Sequence, residues 1–387
     1  MPILRTFNKN TLILTVHLCM LLLFCFNTAK KTYSQDLNNE TTKVDSKFSF
    51  HVEGAHLMDY FFDREHPKFY NQYNFGTHLK YSVNIDKYKL YDKLYRNPTQ
   101  GIGLYSVLYN SKHFGYIAAL YYNLEIPISN PNKKYLFGYT INGGFAYVNS
   151  PEIIINFDNR NIVSSKFNIY FELKLNFDYN KNATPGVSIG FKHYSNTALK
   201  LPNIGLNMLT ADFHLTKYNN KKITTDNYTI PKHNFYTQFN FALGTGTRQI
   251  IEDRELVVKN SLTAEVLLGI SHKYRIAMGA NCGFTWGQKS LSDTDFYKDI
   301  NQLTSISLLA GWDWIVHDKL YLPIRFGYYL KRNEALWEKK PYYEKAGMAY
   351  NINKNLSASL VIKAHYFVAD ILEFNVIYSL KPNKNKL

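Results

Sequence analysis

The sequence predicts an all-β protein, a transmembrane antiparallel up-and-down β-barrel of about 16 strands. From residue 46 onward, apolar and polar residues alternate with period two almost everywhere, the mark of strands whose two faces meet different surroundings. The alternating segments run about 9–13 residues, the length a tilted strand needs to cross a bilayer. Aromatic residues make up 16% of the chain, with 32 Tyr and 26 Phe, which fits a surface whose rings settle at headgroup depth.

The N-terminus reads as a secretory signal over residues 1–34. It carries Arg5 and Lys9, then the apolar run "TLILTVHLCMLLLFCF", then a polar stretch with Thr32 and Ser34 as small residues before Gln35. Phe24 is too bulky for a lipoprotein-type site at Cys25. Removal takes four of the 45 basic residues (Arg5, Lys9, Lys30, Lys31) and no acidic one, so the net charge falls from +15 to +11. Cys19 and Cys25 leave as well. Cys282 alone then remains, so neither an intramolecular disulfide nor a cysteine-based metal site can form. Residues 35–45 read as a linker. Beyond the signal no run of 18 or more apolar residues occurs, which excludes membrane-spanning helices.

The barrel is expected over 46–382, with strand cores near 47–56, 75–85, 101–109, 114–127, 135–147, 167–179, 186–196, 208–216, 235–245, 261–271, 275–286, 303–315, 320–330, 343–351, 356–365 and 370–380. In "FNIYFELKLNFD", Phe167, Ile169, Phe171, Leu173, Leu175 and Phe177 share one face; Asn168, Glu172, Lys174, Asn176 and Asp178 share the other. Leu262 to Ile270 and Leu372 to Leu380 repeat the pattern. Alternation alone would also suit a soluble sandwich with one wet face. Segment length, segment number and loop asymmetry favour the barrel instead. If the first strand enters from the periplasm, the outward loops 57–74, 148–166, 246–260, 287–302 and 331–342 are long. Opposite them, "NKNA" at 180–183, "HKY" at 272–274, "VHDK" at 316–319 and "NINKN" at 351–355 are tight, the habit of outer-membrane barrels. The connections at 86–100 and 217–234 break that alternation. Residues 383–387 form a tail.

One hairpin end carries an unusual set of polar residues. In "GVSIGFKHYSN", Val187, Ile189 and Phe191 lie on the apolar face, and stepping on by two reaches His193 and Ser195. In "NMLTADFHL", Leu209, Ala211, Phe213 and Leu215 are apolar, and stepping back by two reaches Asn207. All three polar residues therefore fall on the membrane-facing parity, at the extracellular end, where a solvated strand end would not require a shared face.

The run His193–x–Ser195–Asn196, followed by Pro202–Asn203–x–Gly205–x–Asn207, resembles the active-site motif of the lipid A 3-O-deacylase family, outer-membrane hydrolases of the PagL type. The resemblance is firm over 186–215 and extends to a deacylase-like half at 46–217, leaving 218–382 as additional strands. It implies an eight-stranded barrel bearing a Ser/His/acid site on its lipid-facing wall, which removes the ester-linked 3-hydroxyacyl chain at the 3-position of lipid A. Carried over by position, Ser195 is the nucleophile, His193 its general base and later acid, and Asn207 the group that fixes the imidazole, as an Asn does in Cys–His–Asn hydrolases. Asn196 becomes the oxyanion donor by side chain or backbone, set against an ordinary turn-forming Asn. Asn207 stands where the family usually has an acid. Pro202, Asn203 and Gly205 read as loop-shaping.

The mechanism implied needs no cofactor and no metal. Lys192, Lys200, Lys217 and the following "NNKK" could face the anionic headgroups of lipopolysaccharide in the outer leaflet. No phosphate-binding Gly-rich loop is present, and nucleic acid is not an expected partner of an exported barrel. The competing reading is a non-enzymatic porin-like channel or receptor, suggested by the polar lumen-facing positions and by a strand count that would leave an aqueous pore.

Overall fold

In a computed structural model, the structure describes residues between Glu40 and Leu380; residues 1–39, 44–45, 58–72, 86–88, 109–115, 131, 150–162, 181–182, 202, 204, 220–221, 226–228, 250–255, 287–302, 334–339, 366–367 and 381–387 lie outside the described residues. The signal sequence, most of the linker, Pro202 and the tail are therefore among the latter. Alternation along the chain becomes two closed rings. Strand β1 (Glu40–Lys43) precedes the first ring, made of β2 (Ser46–Leu57), β3 (Tyr73–Asn84), β4 (Thr99–Leu108), β5 (Tyr116–Pro127), β6 (Tyr135–Val148), β7 (Phe167–Tyr179), β8 (Ala183–Ser195) and β9 (Leu206–Asn219). It closes by antiparallel pairing of β2 with β9, from Ser46↔Asn219 to Leu57↔Met208.

Strand β10 (Lys222–Thr225) pairs back with β1 in a separate two-stranded sheet. The second ring follows with β11 (Tyr236–Arg248), β12 (Val257–Gly269), β13 (Tyr274–Trp286), β14 (Thr304–His317), β15 (Leu320–Lys331), β16 (Tyr342–Asn351), β17 (Leu356–His365) and β18 (Val368–Leu380). Pairing of β11 with β18, from Phe239↔Leu380 to Thr247↔Leu372, closes it.

The sixteen antiparallel barrel strands match the expected number, and they divide into two rings of eight. Period-two alternation reports the two faces of a strand and is silent about which edges meet. With eight strands, a barrel interior is just wide enough to be filled by side chains. In the first ring Tyr105, Tyr121, Tyr170, Tyr194, Lys174 and Lys192 are fully buried, and in the second Tyr343 and Lys363 are. A sixteen-strand aqueous pore, the premise of the channel reading, is not formed.

The outer faces are apolar in both rings: Phe75, Ile189, Leu243 and Leu330 are all more than 60% exposed. A polar interior under an apolar exterior inverts the pattern of a water-soluble barrel and suits a hydrocarbon surround. No helix among the described residues is long and apolar enough to cross a membrane.

The rings touch each other. The 86–100 connection, too long for a plain turn, holds a short helix, α1 (Lys89–Leu94), followed by Tyr95. Tyr95 OH donates to Ile315 O at 2.5 Å and accepts from Trp314 Nε1 at 2.7 Å. Leu124 and Ile126 have the outward parity of β5, and Trp314 and Val316 that of β14, yet all four are buried in one apolar cluster between the rings. Lys273, in the turn between β12 and β13, lies over the Tyr95 ring at 4.4 Å; burial, reinforced by Arg96, pushes its pKa down to about 8.

Candidate active site

The site grows out of the last hairpin of the first ring. Within β8, Ser188, Lys192 and Tyr194 point into the lumen and are buried, while Val187 and Ile189 point outward and are exposed. His193 and Ser195 continue the outward series. Across the hairpin His193 sits directly opposite Asn207, at the start of β9. Register and parity together bring the two side chains into contact, and His193 Nδ1 meets Asn207 Oδ1 at 2.6 Å. An amide oxygen only accepts, so Nδ1 carries the proton and Nε2 is left as the basic nitrogen.

Gly205 makes room for that ring. Its φ is +81°, and a Cβ there would lie 2.7 Å from His193 Cε1 and 3.4 Å from Nε2. Only glycine meets both conditions without strain.

Ser195 is buried at the end of β8. Its Oγ accepts from Thr197 N–H at 3.2 Å and from Asn203 Nδ2 at 2.8 Å. Thr197 and Ala198 have φ of 53° and 62°, the left-handed region that a β-branched residue rarely enters. This strained pair points the Thr197 amide back at Ser195. The described hydrogen bonds of Ser195 thus run to the loop, and those of His193 to Asn207, with the two side chains neighbours on one face.

Asn196 is buried, and its side-chain amide donates to Lys200 O at 2.9 Å, while its backbone N–H faces Asn203 Oδ1 at 3.5 Å. Leu199 N–H also donates to Asn196 O at 3.1 Å, closing a turn over 196–199. The side chain of Asn196 therefore holds the loop, and its backbone N–H is the donor that faces the site. Asn203, expected only to shape the loop, is the residue that sequence reasoning undervalued. Its place in the motif was visible, but the contact to Ser195 depends on the turn conformation.

The second ring reaches this loop as well. Gln249, the buried residue that follows β11, donates its backbone N–H to Ala198 O at 2.7 Å, and its Oε1 accepts from Leu201 N–H at 2.6 Å. No local pattern in the sequence marks it.

Beneath the site the lumen is charged and tightly paired. Lys174 Nζ reaches Asp212 Oδ2 at 2.7 Å, Glu53 Oε2 at 2.8 Å and Glu172 Oε1 at 3.1 Å. Lys192, next to His193 in sequence, pairs with Glu53 and lies 3.4 Å from Glu172, its ammonium 3.5 Å above the Tyr105 ring. This corrects its expected role: Lys192 is a lumen cation and faces no headgroup. Lys217 is exposed near the end of β9 remote from the site, so it cannot neighbour a lipid held at Ser195; Lys200, exposed in the loop, can. Two lumen groups, His51–Asp212–His214 and Glu53–His78–Glu172, have a spacing that could hold a metal ion. The Lys174 ammonium bonds carboxylates of both groups, and Lys192 pairs with Glu53.

Comparison with known proteins supplies the context. The family profile "Lipid A 3-O-deacylase (PagL)" matches residues 52–216, the first ring, and "Acyloxyacyl hydrolase, C-terminal domain" matches 237–383, the second. No curated protein matches the chain significantly. Among solved structures, a mutant of the TodX monoaromatic hydrocarbon channel is 10% identical and covers 88% of this chain and 91% of its own, with a TM-score of 0.19. The Pseudomonas putida toluene transporter TodX is 9% identical over 88% and 89%, with a TM-score of 0.17. A mutant of Rh. blastica porin is 6% identical over 87% and 100%, also at 0.17. Scores this low tie the chain to none of them.

Proposed function

The chain belongs to the lipid A 3-O-deacylase (PagL) family, and on that premise we propose that it is an outer-membrane esterase that hydrolyses the 3-O-linked acyl chain of lipid A. The observation that carries this reading is the His193–Asn207 contact beside Ser195 on the outer face of the first ring, above which an acyl chain in the outer leaflet would lie.

Ser195 Oγ turns from the loop to the imidazole as the ester enters, and its proton passes to His193 Nε2 while Oγ bonds to the carbonyl carbon. Charge on the carbonyl oxygen is met by N–H groups of Asn196 and Thr197 and by the Asn203 amide that Ser195 has released. When the bond to the sugar oxygen breaks, His193 returns the proton to that oxygen. Water repeats the sequence on the acyl-enzyme and frees a 3-hydroxy fatty acid. Asn207 holds the tautomer throughout, without the charge a carboxylate would bring to the imidazolium.

Mass spectrometry of lipid A from cells expressing the parent, the Ser195→Ala variant or neither tests this. Loss of one 3-hydroxyacyl mass with the parent alone is expected. Unchanged lipid A with well-folded parent, or equal loss with Ser195→Ala, overturns the reading.

A further inference from the structure

We propose that the second barrel works on the reaction through Gln249, a positioning residue that clamps the Ser195 loop from outside its own ring. The inference rests on Ser195 being the nucleophile.

The loop needs such a clamp. Thr197 and Ala198 are consecutive left-handed residues, a conformation that is strained for any residue carrying a Cβ. Within its own ring the loop has Leu199 N–H on Asn196 O, the Asn196 amide on Lys200 O, and Thr197 N–H and the Asn203 amide on Ser195 Oγ at the end of β8. None of these bonds holds Ala198 O or Leu201 N–H. Gln249 holds those two groups. One residue grips the strained turn on both sides, its backbone N–H on Ala198 O at 2.7 Å and its side-chain oxygen on Leu201 N–H at 2.6 Å.

Gln249 follows directly on β11, whose backbone is paired on both edges by β12 and β18, so its own position is set by a rigid element. Gln249 itself is buried. The amide that the clamp keeps in place, Thr197 N–H, is the one directed at Ser195 Oγ. Released from Ala198 O and Leu201 N–H, the turn would relax out of the left-handed region, and the Thr197 amide would swing off the nucleophile. The second ring is thereby part of the site without contributing a residue that touches substrate.

The test uses the full chain in detergent with purified 3-O-acylated lipid A. Gln249→Ala keeps the backbone bond and loses the side-chain one; Gln249→Glu keeps an oxygen that accepts from Leu201 N–H. We expect Gln249→Ala to lower kcat about tenfold or more with KM changed little, the signature of a group acting on the transition state rather than on binding. The same variant should speed tryptic cleavage after exposed Lys200, and Gln249→Glu should restore both. The proteolysis reads the clamp independently of chemistry, so it stays informative if Ser195→Ala proves active and the nucleophile is another residue. Parental kcat in Gln249→Ala overturns the positioning role even if Lys200 becomes cleavable. Unchanged cleavage at Lys200 overturns the clamp itself.

Discussion

The seventh strands of the two rings end differently. In the first ring, β8 runs outward through Phe191 to His193 and Ser195 and opens into the 196–205 loop. Its counterpart in the second ring, β17, ends at His365, and β18 starts again at Val368. A register shift between Lys363 and Ala364 accompanies a histidine that turns inward, where His365 Nε2 meets Tyr329 OH at 3.1 Å. The lumen sides are alike: Lys192 and Lys363 are both buried, and both ammonium groups lie over tyrosine rings. One architecture thus carries a candidate site in one copy and a packed lumen in the other. The difference lies in parity and loop length at a single strand end, which is why fold alone assigns no chemistry.

The sharpest way to break this contrast is to cross it. Ser195→Ala should lower deacylation by about 10⁴-fold or more, while His365→Ala in the other ring leaves turnover at the parental level; release of 3-hydroxy fatty acid measures both. Equal losses from the two would erase the distinction between the rings.

Asn207 comes next. Asn207→Ala removes the acceptor on His193 Nδ1 and should reduce kcat by about 10³- to 10⁴-fold with heat-modifiable migration preserved. Asn207→Asp should retain activity or raise it by about tenfold, because a carboxylate holds the same nitrogen and stabilises the imidazolium. A parental rate in Asn207→Ala would remove it from the site.

Gly205→Ala places a methyl group against the imidazole at a positive φ, and about 1–2 kcal/mol of strain follows from the backbone alone. Turnover should fall roughly tenfold to a hundredfold. Gly347, at a lumen position of the second ring, offers no such link to chemistry.

The smallest effect on turnover, read in stability instead, concerns the contact between the rings. Tyr95→Phe removes both buried bonds of the Tyr95 hydroxyl, to Ile315 O and from Trp314 Nε1–H, and should cost about 1–3 kcal/mol, seen in chemical denaturation in detergent, with both rings still closed. Stability equal to the parent would mean that the apolar cluster alone holds this contact.

Much of this was legible beforehand. The parity of Val187, Ile189 and Phe191 carried His193 and Ser195 to the outer face, and the same count from Leu209 carried Asn207 to meet them. The strand number was readable from periodicity for the same reason. Ring closure was not, since the pairing of Ser46 with Asn219 joins residues whose local sequences carry no mark of each other. Gln249 was hidden for a similar reason, being tied to Ala198 and Leu201 only through the way two rings lie together. Lys192 shows a reading available but unused: its parity already placed it in the lumen.

Closure in two rings also bears on how the chain can be made. A ring of sixteen would leave its first strand waiting in lipid for its last, with a row of backbone N–H and C=O groups unpaired. Here β2 finds β9, and the first ring saturates its own backbone before any strand from β11 onward is required. Membrane insertion can then proceed as two consecutive sealings instead of one long one. The order matters to the cell, because a chain that stops after β9 already holds a closed ring, with no strand edge left waiting for the strands that are missing.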